Sequence, residues 1–446
     1  MKVGAIKSKS KIDWEEAGRN ISSHPCPVCG RESSTVALRM VHDDISLIAL
    51  WCKCGSLFYP EVSVPDYAEI EKLESFLMRI DQAEGVDSII RSLLFSPDLE
   101  QYPVVDLGCG IGFAVDYLNF VGRYAQGFDP STSSRISHEK FGIDIKGLPS
   151  KEEIGNFPHP NLIFASEVIE HVPNPRAFMG DIKMMAEDDG YVLLTTPNAN
   201  YVIKENSEIT VMSILAPSQH LFLLSPGAIE DLAREAGFVW VKSWVEEERL
   251  FLVAGPRPIR IENTFSQEAY ERYLEDRLLN ADWIEKSLRW RCFGYRLFKH
   301  RIHRGDYENT RDLWEGLVST YRELGLSLDR PVELVQQYRA ELERTGARFP
   351  TEKFPFNASI LLFLQGTYLV AYKQDMRSAR PYFDGAVALS KMYAESYKDS
   401  VFQMYDREIA MVPEWTANII RGHWKYRTGQ YLRPLKHLLR PRANSS

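Results

Sequence analysis

The 446-residue sequence has no apolar run long enough to cross a membrane: the longest, Ala358 to Tyr372, is broken by Gln365, Gly366 and Thr367. Its N-terminus, MKVGAIKSKSKID, lacks the apolar core of an export signal, so export is disfavoured and a cytoplasmic location is expected. Cysteine is scarce, yet four of the six, Cys26, Cys29, Cys52 and Cys54, fall within the first 55 residues. Without an export signal, such pairs are expected to ligate metal, because the cytosol keeps thiols reduced. Acid is missing from two stretches despite a net charge of −8: Lys286 to Arg304 carries seven Lys or Arg and no acid, and the tail after Glu414 carries another seven. Stretches of this kind mark either a surface for nucleic acid, anionic glycan or lipid headgroups, or a solvated helix face. With 44% hydrophobic and 26% charged residues, the composition is that of a soluble globular chain and excludes wholesale disorder.

The length exceeds one domain, and five regions follow from pattern. Residues 1–22 read as a tail, and 23–60 as a Cys-rich module too small for its own apolar core. In 61–98, Ile70, Leu73, Phe76, Leu77 and Ile80 recur at helical spacing, which predicts an amphipathic connector helix. Residues 99–256 alternate short β-rich runs (YPVVDLG, RYAQGFD, NLIFASE, GYVLLTTP, FVWVKSWV, LFLVAG) with helical patterns, implying a doubly wound α/β fold with a parallel sheet. Pro256 to Pro258 interrupts this pattern, and 257–446 read as all-helical, beginning with Glu268 to Trp290. There RGDYENTRDLWEGLVS from Arg304 aligns with KQDMRSARPYFDGAVA from Lys373, an offset of 69 residues and about twice the period of tetratricopeptide-type hairpins. Divergent repeats and a plain helical bundle both fit.

The motif VVDLGCGIGF, Val104 to Phe113, ends the first strand of the α/β region and opens a helix. Gly108, Gly110 and Gly112 permit a tight turn and close approach of backbone to a ligand. A dinucleotide fingerprint needs a small residue three positions after the second glycine, where this chain has Phe113, so NAD is disfavoured. Asp106 can face a cationic amino group, and Asp129, ending the second strand in GFDP, sits where an acid binds ribose hydroxyls. Two carboxylates and three glycines suit a cationic amino acid joined to a nucleoside.

Together DLGCGIG, GFDPS, LIFASEVIEHVPNP, GYVLLTTPN and QHLFLLSPGAIEDLAREAGF resemble successive motifs of class I methyltransferases, over about Tyr102 to Gly255. The resemblance is closest to the subgroup acting on small molecules, quinones, lipids and sugars. It implies a Rossmann-like sheet of seven strands and S-adenosylmethionine as cofactor. Asp106 would then lie near the methionine part, Asp129 on the ribose and Glu167 at the cofactor's edge, with Glu170 and His171 at the rim of the acceptor pocket. The acid often found after the third strand is absent, since Ile145-Lys146-Gly147 stands there.

For a hydroxyl acceptor, methyl transfer needs alignment and removal of a proton. His220, in PSQHLFLLS, is the first candidate for general base and His171 the second; each is open to a structural role, His220 as a polar pocket residue and His171 more strongly, as the hydrogen-bonding residue of the EHVPNP turn. CPVCG followed by WCKCG gives C-x2-C, a gap of 22 residues and C-x-C, a pattern able to close a tetrahedral structural zinc site through Cys26, Cys29, Cys52 and Cys54, with His24 a substitute for Cys52. The glycines after Cys29 and Cys54 are expected to free backbone amides to face sulfur. The leading reading is O-methylation of a small molecule or surface glycan. One rival is an RNA methyltransferase using basic stretches with Trp290, Phe293, Tyr295 and Phe298 for stacking. Another is a cofactor-sensing interaction protein whose helical C-terminal region binds a protein partner or an anionic surface.

Overall fold

The computed structural model describes residues 10–42, 45–62, 73–81, 86–149, 157–158, 161–206, 208–216, 219–345, 350, 352–396 and 407–427. The chain opens with antiparallel strands β1 (Ser10–Asp13), β2 (Asn20–Pro25), β3 (Glu32–His42), β4 (Ile45–Trp51) and β5 (Leu57–Phe58). Residues 10–22, read from sequence as tail, belong to this sheet: β1 pairs with β3 from Ser10↔His42 to Asp13↔Arg39, and β2 begins at Asn20. The strands were missed because their inward residues find apolar partners only in other parts of the chain. A register shift between Val36 and Leu38 divides those partners. Val36 packs beside Cys26, Cys52 and Phe58, whereas Leu38 and Met40 pack against Val202, Met212 and Leu215 far along the chain.

Two short helices follow, α1 (Leu73–Asp81) and α2 (Val86–Leu93), in place of one connector; Ile70 lies outside the described residues. Phe76, Leu77 and Ile80 are buried, so the amphipathic reading of this stretch holds. Then come β6 (Val104–Leu107), α3 (Phe113–Phe120), β7 (Ala125–Phe128), α4 (Thr132–Phe141), β8 (Ile145–Lys146), β9 (Leu162–Ser166), α5 (Pro175–Ala186), β10 (Tyr191–Pro197), α6 (Glu208–Leu215), β11 (Phe222–Leu223), α7 (Pro226–Glu235), β12 (Trp240–Glu246) and β13 (Arg249–Gly255). Seven of these strands form one sheet in the order β12-β13-β10-β9-β6-β7-β8. Strands β6 to β10 of that sheet are parallel, but β12 and β13 are antiparallel to each other, and β13 to β10. The all-parallel expectation fails there because only Glu247 and Glu248 join the last two strands, too short a link for a crossover. From β6 the chain steps one way to β7 and β8, then returns to β9 on the other side. The crevice for a ligand in such a sheet opens at that switch, beyond the carboxyl ends of β6 and β9.

The C-terminal region is helical: α8 (Gln267–Leu279), α9 (Lys286–Arg289), a π turn at Trp290–Gly294, α10 (Tyr295–Arg304), α11 (Arg311–Glu323), α12 (Pro331–Thr345), α13 (Ala358–Ala371), α14 (Met376–Ser396) and α15 (Arg407–Arg427). The expected helix Glu268 to Trp290 is broken at Asn280, whose amide closes α8 on Asp276 O. The aligned repeats fall on matching hairpins, α10/α11 and α13/α14. Aligned Arg311 and Arg380 each pair with an acid one turn on, Glu315 and Asp384. Aligned Gly316 and Gly385 are both points of close approach: a Cβ would lie 2.0 Å from Trp290 in one and 2.9 Å from Leu362 in the other.

One core crosses the sequence boundary at Pro256–Pro258. Phe113 on α3 and Phe141 on α4 pack edge-on (5.5 Å), and Phe293 from the π turn packs tilted against Phe113 at 5.5 Å and edge-on to Phe141 at 5.9 Å. The residue that argued against a dinucleotide turn is thus also the anchor of the helical region.

Candidate functional site

Between Leu107 and Phe113 the chain turns from β6 into α3. Gly108, Gly110 and Gly112 have φ of 70°, 56° and 75°, a region side-chain-bearing residues enter only at a cost. A Cβ on Gly108 would lie 2.5 Å from Val168 Cγ2, and one on Gly112 2.7 Å from Ile145 Cδ1. At Gly110 the space is open except for the Arg79 guanidinium at 3.7 Å, leaving room for a ligand against the backbone. The Gly110 amide donates to Asp129 Oδ2 and the Ser131 amide to Oδ1, both at 2.8 Å. Each carboxylate oxygen keeps a further lone pair for a hydroxyl donor. Asp106 is only 3% exposed, and burial, then the charge of Asp129, holds its carboxyl well above the usual range. A bound cation beside it would lift that penalty.

Beyond β9 the chain enters a second cluster. Glu167 has φ 56°, a strained conformation for a non-glycine residue, and three contacts over-determine it. Its amide donates to Thr195 O (2.8 Å), Thr195 Oγ1 donates to its Oε1 (3.1 Å), and the Arg249 guanidinium lies 3.5 Å away. Glu170 is fully buried. Its Oε2 accepts from Thr196 Oγ1 (2.9 Å), while Oε1 has no hydrogen bond. The Nε2 atoms of His171 and His220 each lie 4.0 Å from that Oε1, and the two rings meet edge-to-face at 4.9 Å. His171 Nδ1 donates to Gln219 O (2.9 Å) and His220 Nδ1 to Ile214 O (2.7 Å).

Electrostatics follow from this burial. His220 is pushed down to about 3, by burial first and then by His171; His171 is lowered by burial. Burial, then the neighbouring Glu167, raises Glu170 well above the carboxylate range. Both imidazoles are therefore neutral near pH 7, and His220 holds an extra proton poorly.

The cysteine module abuts this cluster. Cys26 and Cys54 sulfurs are 3.9 Å apart, Cys29 and Cys52 sulfurs 3.4 Å, and all four lie within 4.8 Å of one another. His24 is outside the group and contacts Ser22 Oγ instead. The glycine amides do not face sulfur: Gly30 N donates to Cys26 O and Gly55 N to Cys52 O, closing the turns. The amides that reach sulfur belong to Val28, Cys29, Cys54 and Ser56. Most informative is the join to the larger domain. Strand β11, two residues after His220, pairs antiparallel with β5 (Phe222↔Phe58, Leu223↔Leu57), so the first sheet ends on the loop carrying His220. Tyr59 OH donates to Leu215 O (2.9 Å) and Ser225 Oγ to Cys54 O (3.4 Å), and a Cβ on Gly55 would lie 2.4 Å from Ser225 Oγ.

The basic stretch Lys286–Arg304 is not an anion surface. Arg291 is buried on Asp81 (2.6 Å), Arg301 and Arg304 are held by Glu271 and by Glu275 and Glu268, and Lys286 and Arg289 by Glu323 and Asp282. Sequence missed this because the compensating acids lie on other elements. Phe293, Tyr295 and Phe298 are at most 1% exposed and unavailable for base stacking; Trp290 packs over Gly316. Much of the second basic stretch, 428–446, lies outside the described residues. Glu170, placed at a rim by sequence, is the hub of its cluster; Thr196 was not foreseen, and its only signal was an inward position on a strand beside the acid.

Residues 78–243 match the family model described as a methyltransferase domain. A ubiquinone biosynthesis O-methyltransferase of Rhodopseudomonas palustris is 31% identical over 104 residues, 22% of this chain and 41% of the relative. One of Shewanella pealeana is 27% identical over 145 residues, 30% of this chain and 61% of the relative. The chain thus spans less than two thirds of these relatives. A solved SAM-dependent methyltransferase from Archaeoglobus fulgidus aligns with 40% of this chain and 98% of its own, at 15% identity and a TM-score of 0.32.

Proposed function

We propose that this protein, whose residues 78–243 match a methyltransferase domain and carry most of the seven-stranded sheet, transfers a methyl group from S-adenosylmethionine to a hydroxyl of a small molecule or glycan. The observation that carries the reading is that the switch between β6 and β9 bears a glycine turn backed by two carboxylates after one strand and, after the other, Glu170 with its imidazole pair. When bound, the cofactor supplies an electrophilic methyl on a sulfonium. Gly108, Gly110 and Gly112 give it room, Asp129 accepts from its ribose hydroxyls, buried Asp106 answers its amino group, and Glu167 borders it. These residues fit such a cofactor because an already buried acid at Asp106 is relieved by a cation and not by a phosphate. His220 and His171 meet the acceptor hydroxyl, so that donor and acceptor are held in line, which carries much of the rate in a displacement of this type.

The four thiols suit a structural zinc ion: thiolates at about 2.3 Å from a tetrahedral centre lie about 3.8 Å apart, close to the observed 3.4 and 3.9 Å. With all four positions filled by protein, such an ion would brace the β5/β11 join and hold the acceptor loop.

The test is calorimetry followed by mass analysis. S-adenosylmethionine and its demethylated product should bind, and candidate phenols, catechols or hydroxylated glycans incubated with labelled cofactor should gain one methyl. Tight binding of NAD with no response to the sulfonium cofactor would overturn the reading.

A further inference from the structure

In the helical region a cavity of about 280 Å³ is lined by Arg311, Trp314 and Glu315 of α11, by Gln365 and Tyr368 of α13, and by Lys373 just beyond α13. That volume approaches the lower end, about 300 Å³, of pockets that hold small ligands. Comparison of the two aligned hairpins shows how the cavity arises. Phe383, the counterpart of Trp314, is fully buried: it packs on Phe363 at 6.1 Å and over Gly366, where a Cβ would lie 2.7 Å from its ring. Trp314 is held by Phe298 and Tyr382 at 5.8 and 5.9 Å but is only half-buried, so part of the indole is left for a ligand.

The polar lining has unused capacity. Gln365 is 7% exposed, and its Oε1 accepts no hydrogen bond. A buried acceptor without a donor is costly and calls for an explanation, and the soft terminal torsion of an amide lets it turn to a donor arriving from the cavity. The Lys373 ammonium lies 4.5 Å from the Tyr372 ring centre and 5.9 Å from that of Tyr368, with no carboxylate paired to it among the described residues. Tyr368 and Tyr372 are 5.5 Å apart, and this ring pair holds the cation at the lip. Arg311 and Glu315 pair with each other at 2.9 Å, but both side chains are mostly exposed, so a ligand can engage either at small cost.

We propose that this cavity binds an acidic sugar residue of a glycan, its ring on Trp314, its carboxylate on Lys373 and its hydroxyls on Arg311, Glu315 and Gln365. A pyranose ring offers a face of C–H bonds to an aromatic surface and a rim of hydroxyls, each able to donate and to accept. The lining supplies both kinds of partner, and its two cations against one anion favour a single negative charge. An acidic peptide would bring further carboxylates onto Glu315. None of the lining residues belongs to the seven-stranded sheet, so this site is separate from the proposed methyl transfer and does not depend on it.

The test is calorimetry of the full-length chain, without cofactor, against oligomers of galacturonic acid, of galactose and of glutamic acid, and against single-stranded RNA. The galacturonate oligomer should bind saturably and more tightly than the galactose oligomer. Lys373→Gln should weaken it by about tenfold or more, as loss of a charge-assisted hydrogen bond does. Gln365→Leu should also weaken it without lowering the denaturation midpoint, since it removes a buried acceptor that has no donor. No saturable binding of galacturonate, affinity no greater than for galactose, binding equal in either variant, or binding of only the peptide or RNA would overturn the site. Because no methyl group need be transferred, these outcomes leave the proposed activity untouched.

Discussion

Asp129 fixes the glycine turn through two amide hydrogen bonds and keeps lone pairs for a ligand, so Asp129→Ala should weaken S-adenosylmethionine binding by about 1–3 kcal/mol, read by calorimetry. Equal affinity in the variant would remove Asp129 from the cofactor's contacts. At Gly108 the backbone is left-handed and Val168 fills the space a Cβ needs. Gly108→Ala should therefore cost at least about 1–2 kcal/mol of stability from φ alone, seen as a lower denaturation midpoint. His220→Ala should lower turnover by about 10²–10⁴-fold if the ring takes the acceptor's proton, with cofactor affinity kept, because its contacts are with Glu170, His171 and Ile214 O. Near-normal turnover would reduce it to a pocket-lining residue. Asp106, Asp129 and the glycines were legible in the sequence because a strand, a turn and a helix start fix them within a few residues. Glu170 was not legible as a hub, since its partners Thr196 and His220 stand 26 and 50 positions on.

Strands β5 and β11 come from segments far apart in sequence, and their pairing ties the four-thiol module to the loop that carries His220. Stoichiometric zinc, one per chain, is expected at the thiols. Cys52→Ser should lose that zinc and most of the turnover while leaving cofactor binding within a few-fold, since the four thiols contact one another, Ser56 and the β5/β11 join; metal analysis beside calorimetry checks both. Absence of zinc in protein purified without chelators would contradict the assignment. On the helical side, Asp81 at the end of α1 accepts from Arg291 through both oxygens and from the Phe356 amide, all in the core. Asp81→Asn leaves a buried guanidinium without its counter-charge and should cost about 3–5 kcal/mol in chemical denaturation. The same burial explains why seven basic residues without an acid misled at the level of sequence: charge runs along a helix say nothing of which acids the fold brings alongside.

The three regions share their interiors. Leu38 and Met40 of the first sheet pack on α6, and Phe293 of the helical region packs on Phe113 and Phe141 of the larger domain. Tyr273 and Arg277 on α8 add hydrogen bonds to Asp116 on α3. A chain ending at Pro256 should therefore expose Phe113, Tyr117 and Phe141 and aggregate, which sedimentation would detect; a soluble, cofactor-binding fragment would show the domain to be self-sufficient. No described helix is long and apolar enough to cross a membrane.

Local pattern alone determined the doubly wound core, the glycine turn and the four thiols, because each is set by neighbours within a few residues or by strand and helix periodicity, whereas it left helical repeats and a plain bundle both open. The antiparallel hairpin at the sheet's edge, the inward turn of the basic helices, the sharing of β11 between two sheets and the convergence of Glu170, His171 and His220 were decided by tertiary structure. Each of these depends on contacts between segments tens to hundreds of residues apart, and periodicity carries no information about which distant carbonyl, carboxylate or ring will fill a given space.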